Sequence, residues 1–174
     1  MKKYFYLLFC LPLFLVSCSD DDTPADEYEN IGTVEGAWGY TNVLATVETN
    51  GSSTITAIAN GALTAALQYY ASAQEPTYYV FYDKTFETYT GTEELVLTGE
   101  GNYTLSGKVL KLTYAQTAEV ETIEIIKATE EELKIKKDYS GLLTSWGADI
   151  LGGYTGLSLK TATSTMTYNK IAVE

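Results

Sequence analysis

The chain has 174 residues, 45% of them apolar, and a net charge of −12, which suits one domain with a substantial core. All eleven basic residues are Lys and there is no His, which excludes Ser-His-Asp and Cys-His catalysis, His-ligated metal sites and bidentate Arg clamps. So acidic a chain also argues against nucleic acid as a partner, because phosphate binding needs clustered cations.

Lys2 and Lys3 precede an apolar run, Tyr4 to Val16, that is shorter than the ~20 residues a membrane-spanning helix needs. The run ends in Leu15-Val16-Ser17-Cys18, a lipobox. Residues 1–17 therefore read as a lipoprotein signal peptide. Cleavage before Cys18 would expose a thiol for a diacylglyceryl group. The other cysteine, Cys10, leaves with the signal, so no disulfide or free thiol nucleophile is expected in the mature chain. Without Lys2 and Lys3, nine lysines face 23 acids, a balance of −14. Residues 18–30 hold the lipidated Cys18 and an acidic tether of Asp20, Asp21, Asp22, Asp26, Glu27 and Glu29. Low in apolar residues, the tether reads as disordered and would reach ~40 Å when extended.

Residues 31–174 read as the folded domain. Gly36-Ala37-Trp38 opens a strand that runs to about Glu48 and stops at Asn50-Gly51. A helix over Ser53 to Ala71 follows, with Ile55, Ile58, Ala62, Ala66 and Tyr69 or Tyr70 at helical spacing. Gly61 is a point where it could break. Tyr78 to Tyr82 turns at Asp83-Lys84 into Thr85 to Thr90. A strand from Leu95 to Leu105 carries a bulge or bend at Gly99 and Gly101. Gly107-Lys108 fits a two-residue turn that sets Leu105 opposite Leu110 and Tyr103 opposite Leu112. In the next hairpin, Ile123 is expected opposite Ile135, Ile125 opposite Leu133 and Glu124 opposite Lys134. Residues 139–160 read as a long Gly-rich loop carrying Trp146 and Tyr154, and Ser164 to Val173 reads as the last strand. Eight consecutive antiparallel strands with one helix after the first predict an up-and-down β-barrel, which removes exposed edges by closing.

The layout resembles the lipocalin-like lipoproteins of Bacteroidetes. The resemblance rests on Gly36-Ala37-Trp38, on the block from Gly101 through Tyr114, and on Thr167-Tyr168-Asn169-Lys170-Ile171. It implies a lipocalin-like barrel with Trp38 packed structurally at its base against a basic residue, a part that falls to a lysine such as Lys170. The inserted helix would then lie as a lid or plug over one mouth. Ser19-Asp20-Asp21-Asp22 resembles the signal that exports such lipoproteins to the outer face of the outer membrane, so cell-surface display is the expected location, with the periplasmic face as alternative.

No acid sits in a catalytic context. Glu93-Glu94 and Glu130-Glu131-Glu132 fall at turns, while Glu121 and Glu124 lie on strands with polar faces, and all read as solvated surface. The expectation is a monomeric, non-enzymatic binding protein with no cofactor or metal, touching the membrane only through its lipid. Inside the barrel Tyr79, Phe81, Tyr103, Leu112, Ile123, Ile135, Met166 and Tyr168 would either meet a small apolar or amphipathic ligand or simply fill a packed core, and the sequence leaves both open. The alternative is a surface module that recognises glycan or protein through Trp146 and Tyr154 on the 139–160 loop.

Overall fold

Apolar–polar alternation runs through most of the strands, and closing them on one another buries the apolar faces. The computed structural model describes residues 31–51, 53–150 and 157–172, with backbone only at 53, 55 and 146–150. The lipobox, the tether and Tyr154 lie outside the described residues. In chain order the elements are β1 (Gly36–Asn50), α1 (Ser53–Gln74), β2 (Tyr78–Tyr82), β3 (Thr85–Thr90), β4 (Val96–Ser106), β5 (Val109–Tyr114), β6 (Val120–Ala128), β7 (Glu132–Asp138), α2 (Ser140–Ile150) and β8 (Ser158–Ile171). The strands form one closed, lipocalin-like up-and-down barrel. Each pairs antiparallel with its neighbour, and β8 returns to β1 over a register running from Ala37↔Ile171 to Asn50↔Ser158.

Alternating directions give the barrel two ends. The β2–β3, β4–β5 and β6–β7 turns share the closed end, where Ile31 bridges Ala128 and the chain enters. At that end Asp83 and Lys84 both have positive φ, 44° and 65°, which a tight two-residue hairpin turn requires. Gly107 takes the same role in the next turn at φ 56°. The opposite end, the mouth, carries α1, the β3–β4 and β5–β6 connections, and α2.

The β4–β5 register is the expected one, with Tyr103 opposite Leu112 and Leu105 opposite Leu110. The β6–β7 register is not. Ile125 faces Ile135, Glu124 faces Lys136, and Leu133 faces Ala128. A bulge between Ile125 and Lys127 takes up one residue at Ile126, which is itself buried. Thr129 fixes the turn that follows. Its amide donates to the Glu132 carbonyl at 2.9 Å, and its Oγ accepts from the Glu132 amide at 3.0 Å.

β2 accompanies β1 only from Gly36 to Gly39, and α1 takes its place beside the upper part of β1. Thr64 Oγ accepts the Val47 amide at 3.2 Å. Asn60 Oδ1 accepts the Thr49 amide at 2.9 Å and its hydroxyl at 2.8 Å. The buried row of α1 is Ala59, Leu63, Leu67 and Ala71, not the row expected from Ile58, Ala62 and Ala66. Ile58 and Tyr69 are exposed. The row holding both leucines packs with Val47, Leu143 and Ala162. Gly61 sits on the solvent side with nothing near its Cβ position, and the helix runs through it.

Within the segment 139–160 expected to be a loop, residues 140–150 form a helix and 158–160 begin a strand, while 151–156 lie outside the described residues. Asp138 Oδ1 accepts the Ser140 amide at 2.8 Å, a cap that starts α2, and Leu143 buries itself against α1 and β8. β8 begins at Ser158, before the expected Ser164: Ala162 continues the inward alternation of Ser164, Met166 and Tyr168, and a register shift at Lys160 lets Leu159 pack on the same cluster beside the upper part of β1.

Candidate functional site at the barrel mouth

The eight interior residues nominated as ligand contacts all belong to one buried cluster. Tyr79 stacks on Phe81 with centroids 5.6 Å apart, Phe81 meets Tyr103 edge-on at 5.2 Å, and Tyr79 meets Tyr168 edge-on at 5.3 Å. Leu112, Ile123, Ile135 and Met166 are fully buried among them. These side chains pack on one another, and one space open to a ligand lies above them at the mouth.

That space is a cleft of about 580 Å³ lined by Glu75, Thr98, Tyr114, Thr117, Glu119, Val120, Glu121, Thr122, Lys137, Asp138 and Tyr139. Its volume suits a small ligand. At its base the Lys137 side chain, 8% exposed, donates to Glu75 at 2.5 Å, Glu121 at 2.6 Å and the Tyr79 hydroxyl at 3.1 Å. All three ammonium protons thus have acceptors. Tyr139 donates to the other oxygen of Glu75, and Tyr114 donates to Glu121 at 2.9 Å. Glu75 comes from the end of α1, Glu121 from β6, Lys137 from β7 and Tyr79 from β2. The network therefore ties the capping helix to three strands of the wall.

Burial alone would lower the Lys137 pKa. The Tyr79 oxygen and the Glu75 and Glu121 carboxylates outweigh it and hold the pKa well above its ordinary 10.5. Burial raises Tyr79, Tyr114, Tyr139 and Tyr168 above 10.0. Glu121 adds to the rise at Tyr114, and Glu75 adds at Tyr139 and Tyr168. Every one of these groups keeps its proton longer when folded than when unfolded. Their contribution is therefore complete below the unfolded pKa values, 10.0 for the phenols and 10.5 for the amine, and declines as pH rises through the folded ones. Urea unfolding is expected to show a lower midpoint at about pH 11 than at about pH 8, and mutating Tyr139 to Phe is expected to narrow that gap.

Sequence reasoning missed Lys137 and Glu75 and read Glu121 as surface. A signal existed in the alternation. Leu133-x-Ile135-x-Lys137 and Glu121-x-Ile123-x-Ile125 place Lys137 and Glu121 on the inward face of adjacent strands. Nothing comparable marks Glu75, which follows the helix end.

Trp38 occupies the closed end, fully buried, with its Nε1–H donating to the Val34 carbonyl at 2.7 Å. Lys170 Nζ lies 5.2 Å from the Trp38 ring centroid and donates to the Glu35 carbonyl at 3.3 Å. Trp146 falls within α2, and its side chain is outside the described set. Among the described residues no three His, Cys, Asp or Glu side chains converge as a metal site, and no helix is long and apolar enough to cross a membrane. No protein-family model matches the chain, and no curated protein matches it.

Proposed function

We propose that the chain is a lipoprotein, anchored in the outer membrane through a diacylglyceryl group on Cys18 and displayed at the cell surface, that binds a small amphipathic molecule without transforming it. The observation that carries the binding reading is the cleft at the α1-capped mouth, with apolar Val120 and the tyrosine rings beside a buried Lys137–Glu75–Glu121 network. Four acids line it against one lysine, which favours a ligand bearing an amine or several hydroxyls. Non-catalytic use is supported by the state of Lys137. A lysine base or nucleophile needs a lowered pKa and a free lone pair, whereas this amine is held protonated by three acceptors. The topology suits the anchor as well, because the chain enters at the closed end and the cleft opens at the other.

Cys18→Ser is expected to abolish incorporation of a labelled fatty acid into the protein, with no change in its folding. Fatty-acid labelling that persists without Cys18 sinks the anchor. For the ligand, native mass spectrometry of the purified protein is expected to show a bound small molecule that Glu121→Gln releases. A clean apo mass from freshly isolated protein in every preparation sinks the cleft reading.

A further inference from the structure

Two strands of this barrel outrun their neighbours at the mouth, and they are treated differently. The upper edge of β1 is covered by α1, whose Thr64 and Asn60 accept the Val47 and Thr49 amides respectively. The upper edge of β4 is not covered. β4 starts at Val96 and pairs with β3 from there, with a bulge at Thr98, but its ladder with β5 starts only at Gly101↔Tyr114, flanked by one bond from the Ala115 amide to the Glu100 carbonyl at 2.9 Å. Among the described residues, no strand or helix pairs with Val96 to Gly99 on the side away from β3. The chain leaves apolar side chains there too. Leu95, Val96 and Leu97 are 51%, 55% and 46% exposed, and Val120 across the cleft is 56% exposed. Three consecutive exposed apolar residues on a bare edge are what soluble sheet proteins avoid unless the edge is used.

We infer that the Val96–Gly99 edge is a docking site for an extended, basic peptide segment of another protein, which adds to the sheet as a strand beside β4. Charge chooses this occupant. From Thr85 to Gly107 there is no lysine, while Glu87, Glu93, Glu94 and Glu100 flank the edge and Glu119 faces it across the cleft. A second copy of this chain would set the same acids against each other, edge to edge. A strand with alternating Lys and apolar residues would place its cations against Glu93, Glu94, Glu100 and Glu119. Its apolar side chains, all on one face, would cover one of Val96 and Leu97, which point to opposite faces of β4. Main-chain hydrogen bonds would supply affinity and the side chains specificity. The site is separate from the interior of the cleft, although Thr98 and Val120 border both.

The test uses the full chain and three capped synthetic heptapeptides: alternating Lys and Val, alternating Glu and Val, and alternating Lys and Pro. The Lys-Val peptide is expected to bind saturably and to shift the amide resonances of Val96 to Gly99. The Glu-Val peptide should bind at least about tenfold more weakly because of its charge. The Lys-Pro peptide should also lose about tenfold or more, since it matches the charge but lacks ladder donors. Val96→Lys, an exchange at an exposed site, is expected to weaken the Lys-Val peptide by about tenfold while leaving the circular dichroism spectrum unchanged. Leu97→Pro is a second variant that blocks the edge, because the Leu97 amide points away from β3. Equal binding of the Lys-Val and Lys-Pro peptides overturns the inference as mere charge attraction. So does a shift pattern confined to Glu75, Lys137 and Tyr139, or a dimer in sedimentation that Val96→Lys dissolves. Loss of peptide binding with the cleft ligand retained separates failure of this inference from failure of the cleft reading.

Discussion

Replacing Lys137 with Met is expected to destabilise the barrel by about 3–5 kcal/mol, the cost of breaking a buried ion pair by removing one partner. Met fills much the same volume, so the loss is electrostatic. Glu75, 8% exposed, and Glu121, 27% exposed, would then face one another across the mouth with no cation between them. Glu75 lies directly after α1, so the cheapest relief is for the end of that helix to lift away from the wall. Urea unfolding followed by tryptophan fluorescence measures the cost. Amide exchange in α1 is expected to quicken more than in β5. The triple replacement Lys137→Met, Glu75→Gln, Glu121→Gln is expected to recover part of the loss, because it leaves no unpaired charge. A single-variant cost below about 1 kcal/mol would mean that the network behaves as a solvated surface pair.

The second large effect is expected at the closed end. Trp38→Ala should cost about 3–5 kcal/mol, the range for deleting a buried aromatic side chain. Three losses coincide there. The ring is fully buried, its Nε1–H serves the Val34 carbonyl at 2.7 Å, and Lys170 sits over its face at 5.2 Å. Trp38 also stands where β1 pairs with both Tyr79 of β2 and Lys170 of β8, so the cavity opens at the seam of the barrel. Trp38→Phe keeps most of the packing and strands one carbonyl, and its cost should fall to about 1–3 kcal/mol. The comparison is made by thermal and urea unfolding. Equal costs for the two variants would assign the effect to the hydrogen bond rather than to packing.

Much of this fold was legible because strand alternation is a local signal. Leu105-x-Tyr103 and Leu110-x-Leu112 share one face in any hairpin turned at Gly107-Lys108, so that register could be derived without tertiary information. The β6–β7 register could not, because a bulge at Ile126 breaks the period within the strand and only three-dimensional packing places it. α2 hid behind glycines. Gly141 and Gly147 suggested a loop, but the Asp138 cap and the burial of Leu143 against α1 and β8 supply what intrinsic propensity lacks. The site was the least legible part. Its members come from β2, α1, β6 and β7, and Lys137 is unremarkable in sequence until its strand is given a face. Polar residues at inward positions near strand ends were the available clue.

The pairing of β1 with β8 has a consequence in time. Ala37 meets Ile171 and Asn50 meets Ser158, so the longest ladder in the barrel joins the first strand of the chain to the last. Local hairpins can form as the chain is made, but each would wait with an open edge, and the barrel cannot close before its final strand is available. Such dependence on distant contacts slows folding, since the whole intervening loop must be closed before the contact repays it. A chain held without β8 would therefore remain a row of unfinished hairpins, pliable enough to be threaded through a narrow channel. Arrival of the last fourteen-residue strand would be the event that commits it to a rigid shape.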